Sequence, residues 1–198
     1  MELLSLAVQF AAQKHNTQRR KGTDIPYLLH PMEVAAIVGT MTSDPCILAA
    51  AVLHDVVEDT DATPEEICEM FGARVAQLVA AESENKKKDR PAAETWMLRK
   101  QETINALQNT TDIAVKMICL GDKLSNLRSF KRDYTELGTV FFQRFNQKDP
   151  RMHRWYHRNI ADAMPELMHT DAWKEYDALI RTVFNGEDNG TKKNQTDF

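Results

Sequence analysis

Residues 111–129, TDIAVKMICLGDKLSNLRS, decide how this chain folds. Apolar side chains fall at Ile113, Met117, Leu120, Leu124 and Leu127, at steps of four, three, four and three, the repeat of one helix face. Thr110 or Thr111 is the expected N-cap. Beside the apolar stripe runs a second row, Asp122, Asn126 and Ser129, at i, i+4 and i+7. A carboxylate, an amide and a hydroxyl in line on a largely buried helix predict a ligand cavity. Gly121 fits that reading, because glycine costs about 1 kcal/mol against alanine inside a helix and so implies close packing.

The same spacing recurs on both sides. Leu3, Leu6, Ala7, Phe10 and Ala11 form a stripe that ends near Lys14-His15, and the polar stretch Gln18 to Ile25 reads as a loop. His30-Pro31 then opens a helix carrying Val34, Ala35, Ile37 and Val38, since proline fits a first turn. Asp44-Pro45 caps a strongly apolar helix predicted from Cys46 to about Val57. Thr63-Pro64-Glu65-Glu66 has capping-box spacing, and Gly72 suits the stop. The charged run Asn85 to Arg90, with Lys86-Lys87-Lys88, reads as a solvated loop before a helix containing Trp96, Leu98, Ile104 and Leu107. Two further helical segments are expected around Arg151–His169 and Ala172–Phe184.

With seven glycines and no alternating run, the chain reads as all-α. Its 198 residues fit one domain, expected over residues 1–184, with residues 185–198 a polar, disordered tail. A hydrophobic content of 42% with 27% charged residues is that of a globular chain, and a net charge of −4 argues against a basic nucleic-acid binder. Cys46, Cys68 and Cys119 are scattered without CxxC spacing, so neither a disulfide framework nor a thiolate zinc site is expected. Glu2 stands where a secretory signal would carry basic residues, and no apolar run approaches the roughly 18–20 residues that span a bilayer. A cytoplasmic protein is expected, acting on a small molecule, with no nucleic-acid or membrane partner. The Asn-x-Ser/Thr triplets at Asn109, Asn189 and Asn194 then read as chance matches.

The chemistry concentrates in Leu53-His54-Asp55-Val56-Val57-Glu58-Asp59-Thr60, where four ionisable groups end an apolar helix. Buried charges need partners, because an unpaired one costs several kcal/mol. On a helix His54 and Asp55 would approach one ion from adjacent sides, and Glu58 lies one turn beyond His54. His30, His54, Asp55 and Asp122 together offer two imidazoles and two carboxylates, a set suited to Mn²⁺, Fe²⁺ or Zn²⁺. By residue type alone a metal site and a solvated, hydrogen-bonded helix end both stay open.

Three segments in order carry a resemblance: Arg19-Arg20-Lys21 with Pro26-Tyr27 and His30-Pro31; Ala50 to Thr60; and Gly121-Asp122-Lys123-Leu124-Ser125-Asn126-Leu127-Arg128. Across roughly Leu3 to Phe130 the chain resembles the HD-superfamily alarmone hydrolases, the hydrolase domains of RelA/SpoT-type proteins and their small stand-alone relatives. The resemblance implies an HD-domain helical bundle around a central metal pocket. It also implies Mn²⁺-dependent removal of the 3′-pyrophosphate from guanosine tetra- and pentaphosphate (ppGpp and pppGpp), giving GDP or GTP. By the same resemblance His30, His54, Asp55 and Asp122 are the metal ligands and Glu58 and Asp59 the catalytic acidic pair. Arg20 would stack on the purine, Lys21 would meet phosphate, Asn126 and Ser129 would contact ribose and phosphate, and Tyr156 would touch the substrate. His15, His153, His157 and His169 are expected to be surface or hydrogen-bonding residues.

Departures from the family bear on substrate identity. Gly22-Thr23-Asp24-Ile25 stands where the long enzymes have Ser-Gly-Glu, Gly121 replaces the usual alanine, Ala80 to Glu84 lacks the common Val-Thr pattern, and residues 140–184 match nothing clear. Too few residues follow for a synthetase domain, so degradation alone is expected. Two other readings compete: an HD phosphohydrolase for another phosphorylated purine nucleotide, such as an adenosine alarmone or a 2′- or 3′-phosphorylated cofactor, and a catalytically silent nucleotide sensor. The intact Glu58-Asp59 pair speaks against the sensor.

Overall fold

A computed structural model describes residues 2–83, 87 and 89–184. The expected tail, 185–198, and residues 85, 86 and 88 of the expected loop lie outside the described residues. Among the described residues the chain is all-α, as its periodicity predicts, with no strand and one isolated bridge between Arg19 and Pro26. In order come α1 (Leu3–Lys14), α2 (Leu29–Val38), α3 (Pro45–Leu53), α4 (Val56–Asp59), α5 (Pro64–Phe71) and α6 (Ala73–Glu82). Then follow α7 (Ala92–Asn109), α8 (Ile113–Leu137), α9 (Pro150–Asp162) and α10 (Asp171–Phe184), with 3₁₀ turns at Gly138–Arg144 and Pro165–Leu167. Among the described residues no helix is long and apolar enough to cross a membrane.

Local chemistry sets the boundaries. Asp44 Oδ1 accepts from the N–H groups of Cys46 and Ile47 at 2.8 and 3.3 Å, so α3 starts as expected. Its end does not match the expectation of a helix continuing to Val57. His54 Nδ1 lies 2.9 Å from the Ala51 carbonyl, the acceptor that a continuing helix would offer to the Asp55 N–H. The helix breaks at His54-Asp55 and α4 starts afresh. Asp112, not Thr110 or Thr111, caps α8: its Oδ1 accepts from Ala114 N at 3.1 Å, and Arg74 of α6 grips the same carboxylate at 2.6 and 3.0 Å. The segment expected over Arg151–His169 is α9 followed by the 3₁₀ turn that Pro165 opens. After Gly72, at φ 88°, the separate helix α6 packs back on α3.

The core has two parts that share α8. One gathers Ala7, Val34, Leu53, Ile67 and Leu78 from the first six helices with Ala114 and Ile118 of α8. The other gathers Trp96, Phe141, Ile160 and Tyr176 around Leu120, Leu124 and Leu127. The middle of α8 is therefore enclosed on nearly every side, which is why Ser125 and Asp122 are buried along with the apolar stripe, while Ile113 at its start is exposed. Gly121 permits the closest approach: a Cβ there would meet Val38 Cγ2 at 2.9 Å and the Val34 carbonyl at 3.2 Å, so α2 lies directly against the α8 backbone.

Candidate active site

The seam between α2 and α8 meets the α3–α4 break, and polar groups converge there. α2 brings His30 in its first turn, α3 ends at His54, Asp55 stands in the break, and α8 supplies Asp122. His30 Nε2 is 3.1 Å from Asp122 Oδ1 and 3.6 Å from Asp55 Oδ2. His54 Nε2 is 3.0 Å from Asp55 Oδ2 and 3.9 Å from Asp122 Oδ1. His30, His54 and Asp122 each offer a donor atom within 4.8 Å of the others, a grouping that could hold a metal ion.

Proton bookkeeping supports a cation in the middle. His54 Nδ1 faces a carbonyl, which only accepts, so a neutral His54 carries its proton there and presents a bare Nε2 inward. That buried Nε2 makes no hydrogen bond despite its closeness to Asp55. His30 Nδ1 is 2.9 Å from Ser125 Oγ and its Nε2 likewise points to the centre. With both imidazoles neutral, two lone pairs and two carboxylate oxygens would face one another and repel unless a positive charge, a proton on His54 or a metal ion, lay between them. The shifts express the same demand. Burial works against charge on His54, yet Asp55 and Asp122 outweigh it and lift the imidazole to about 9. Burial holds His30 below its ordinary value against the pull of Asp122. Burial also opposes ionisation of Asp55 and Asp122, but neighbouring positive charge, from His54 for the first and Lys123 for the second, keeps both low.

An outer ring holds the carboxylates in place. Tyr27 donates its hydroxyl to Asp55 Oδ2 at 2.5 Å and approaches Asp59 Oδ2 at 3.3 Å. Lys123 pairs with Asp122 Oδ2, and Asn126 Nδ2 donates to Asp122 Oδ1 at 2.6 Å. Arg20 Nη2 donates to Asn126 Oδ1 at 2.7 Å, which ties the loop before α2 to α8. These groups line a cavity of about 470 Å³ with Glu58, Asp59 and Tyr156 on its walls. Arg99, Lys100 and Lys123 line it as well, and the two ammonium groups lie 5.0 and 5.9 Å from the centre of the Tyr156 ring. Glu82, at the end of α6, closes one wall, and burial pushes its carboxyl up to about 7 against the pull of Lys123.

The residues expected from sequence are thus brought together, with one division. Lys21 and Ser129 do not line the main cavity but an adjoining one of about 160 Å³, also walled by Phe141, Arg144 and Phe145; Arg20 and Asn126 stand between the two. The other histidines behave as expected: His15, His153 and His157 are buried and bonded to Gln18, the Gln147 carbonyl and Tyr176. His169 is exposed. Tyr27, Ser125 and Lys123 lie inside the quoted motifs without a role suggested by spacing, and Glu82 has no sequence signal of its own.

The chain matches the HD domain family over residues 7–143 and belongs to it. Among curated proteins it is similar to the guanosine-3′,5′-bis(diphosphate) 3′-pyrophosphohydrolase MESH1 of Danio rerio, 41% identical over 129 residues, which are 63% of this chain and 67% of that one. It is also 40% identical over 130 residues to the GTP pyrophosphokinase rsh of Brucella ovis, covering 64% of this chain but only 17% of that longer protein. Among solved structures, a metazoan orthologue of SpoT described as hydrolysing ppGpp superposes with a TM-score of 0.73 at 28% identity, over 92% of this chain and 96% of that one.

Proposed function

We propose that this protein is a cytoplasmic, Mn²⁺-dependent hydrolase that removes the 3′-pyrophosphate of ppGpp and pppGpp, with residues 1–184 as its HD-type catalytic unit. The observation that carries the reading is the convergence of His30 Nε2, His54 Nε2, Asp55 Oδ2 and Asp122 Oδ1 at a cavity lined by Arg99, Lys100 and Lys123 together with Glu58 and Asp59. Relatives named for this reaction give it its substrate.

The four residues would hold the ion, which when bound supplies Lewis-acid activation of water and neutralises phosphoryl charge. Glu58 accepts the proton of the attacking water. The water oxygen forms a bond to the phosphorus on the ribose 3′ oxygen, the bond between them breaks, and the 3′ oxygen leaves protonated as a hydroxyl, with pyrophosphate released. Asp59, approached by the Tyr27 hydroxyl and anchored through its carbonyl to Gln18, orients that water and assists proton delivery. Arg99, Lys100 and Lys123 meet the pyrophosphate as charge partners. Arg20, whose guanidinium already lies 5.6 Å from the Tyr27 ring centre, offers a flat face to the purine, while Asn126 and Ser129 meet ribose and phosphate. Lys21, beside the smaller cavity, would serve a phosphate or the far edge of the substrate, and Tyr156, beside Lys100 and Lys123, would touch it.

The test is a panel of phosphorylated nucleotides incubated with the purified chain and Mn²⁺. Pyrophosphate and GDP released from ppGpp, with adenosine alarmones and 2′- or 3′-phosphorylated cofactors turned over far more slowly, is the expected result. Preferred turnover of one of the others, or binding without turnover, would replace this reading.

A further inference from the structure

A polar chain beside the site runs through Glu33 and Glu175, which stand in none of the motifs quoted above. His30 Nδ1 meets Ser125 Oγ at 2.9 Å, Ser125 Oγ donates to Glu33 Oε2 at 2.8 Å, and Arg128 Nη1 donates to Glu33 Oε1 at 3.0 Å. Arg128 is held in turn by Glu175 of α10, at 2.7 and 2.6 Å to its two oxygens. His30 and Ser125 are 4% and 1% exposed, so water does not compete for their protons.

From this geometry we infer that Glu33 and Ser125 are positioning residues that fix the tautomer of His30. A serine hydroxyl has one proton, and a carboxylate only accepts. Ser125 therefore spends its proton on Glu33 and must receive one from His30 Nδ1, which in the neutral imidazole leaves Nε2 bare toward Asp122 and Asp55. Arg128 gives the relay its direction. It occupies Glu33 Oε1, so Oε2 is the oxygen left for Ser125, and Glu175 keeps the guanidinium from rotating away. The inference rests on the metal reading only for its purpose, a ligand ring delivered with its lone pair inward; the proton on Nδ1 follows from the hydrogen bonds.

Glu33→Gln separates this from simple packing. Arg128 will keep the amide oxygen, so the amide nitrogen faces Ser125 and donates to it. Ser125 then turns its proton onto His30 Nδ1, and the ring is forced to carry its own proton on Nε2, facing the centre. Long-range ¹H–¹⁵N spectra of His30 in the full chain before metal addition should show protonated Nδ1 in the wild type and protonated Nε2 in Glu33→Gln. Mn²⁺ titration should show affinity lowered about 10–100-fold in Glu33→Gln and Ser125→Ala, and near the wild-type value in Ser125→Thr, which keeps the hydroxyl. A wild-type His30 protonated on Nε2, a Glu33→Gln spectrum unchanged from wild type, or a Ser125→Thr affinity no better than that of Ser125→Ala would overturn the relay. If the wild type bound no metal, the metal reading would fall, and the imidazole spectra would still decide the tautomer.

Discussion

Asp122 is the most heavily engaged side chain in the site. One of its oxygens faces both imidazoles and Asn126, and the other meets Lys123. Replacing it by alanine leaves Lys123 buried without its carboxylate and removes one inward oxygen, a loss of a kind that costs about 3–5 kcal/mol when a buried pair is broken. Asp122→Ala should lose bound Mn²⁺ and lower the melting temperature, as metal analysis and a thermal scan would show. Glu58→Gln should behave oppositely: metal content unchanged, with kcat down by about 10²–10⁴-fold, the usual range for a general base. Arg20→Ala should chiefly raise KM, since it removes a stacking face and the bond to Asn126 while leaving the ion's ligands intact. A KM equal to that of the wild type would move the purine elsewhere. At this scale the His-Asp-x-x-Glu-Asp run stands out in sequence because ionisable residues end an apolar helix, and Asp122 because it heads a polar row, with Asn126 and Ser129, beside an apolar stripe. Ser125, Glu33 and Lys123 are not legible, because a polar residue on a helix acquires meaning only from the face packed against it.

Among the elements, the approach of α2 to α8 decides whether His30 reaches Asp122. Gly121→Ala would gain about 1 kcal/mol of helix propensity but would place a methyl 2.9 Å from Val38 and 3.2 Å from the Val34 carbonyl. Overpacking of this kind costs about 1–3 kcal/mol, so the net expectation is a modestly destabilised chain with weaker Mn²⁺ binding. A melting temperature and an Mn²⁺ affinity both at or above wild type would show that α2 yields without cost. The seam was legible in part: Gly121 marks close packing, but its partner helix is named only by the fold. The break at His54-Asp55 was illegible, since no glycine or proline signals it, and the competition of the His54 ring for the Ala51 carbonyl is a side-chain event. The cap of α8 falls at Asp112 and not at the expected threonines for a related reason. Threonines precede Asp112, and it is Asp112 Oδ1, held by Arg74 of α6, that accepts from the Ala114 N–H.

For the molecule as a whole, α8 is the shared wall of two cores, with His30 of α2, His54 and Asp55 of the α3–α4 break and Asp122 of α8 converging beside it. An ion that binds the folded chain and not the unfolded one ties these parts together. At free Mn²⁺ 100-fold above its dissociation constant, linkage contributes about 2.7 kcal/mol, a rise of about 5–10 °C in melting temperature for a chain of this size. A chelator should reverse it, and a melting temperature indifferent to both additions would mean that the four donors enclose no ion. The helical class is legible because the three-and-four repeat runs through the chain. The meeting of two cores at α8 is not, since periodicity records that a face is buried without saying what buries it.

The most direct measurement is anomalous diffraction at the manganese edge from crystals of the full chain grown with Mn²⁺. One peak is predicted, enclosed by His30 Nε2, His54 Nε2, Asp55 Oδ2 and Asp122 Oδ1, with Glu58 beside it and outside its ligand set. No peak at saturating Mn²⁺, or a peak held by other residues, would contradict the account.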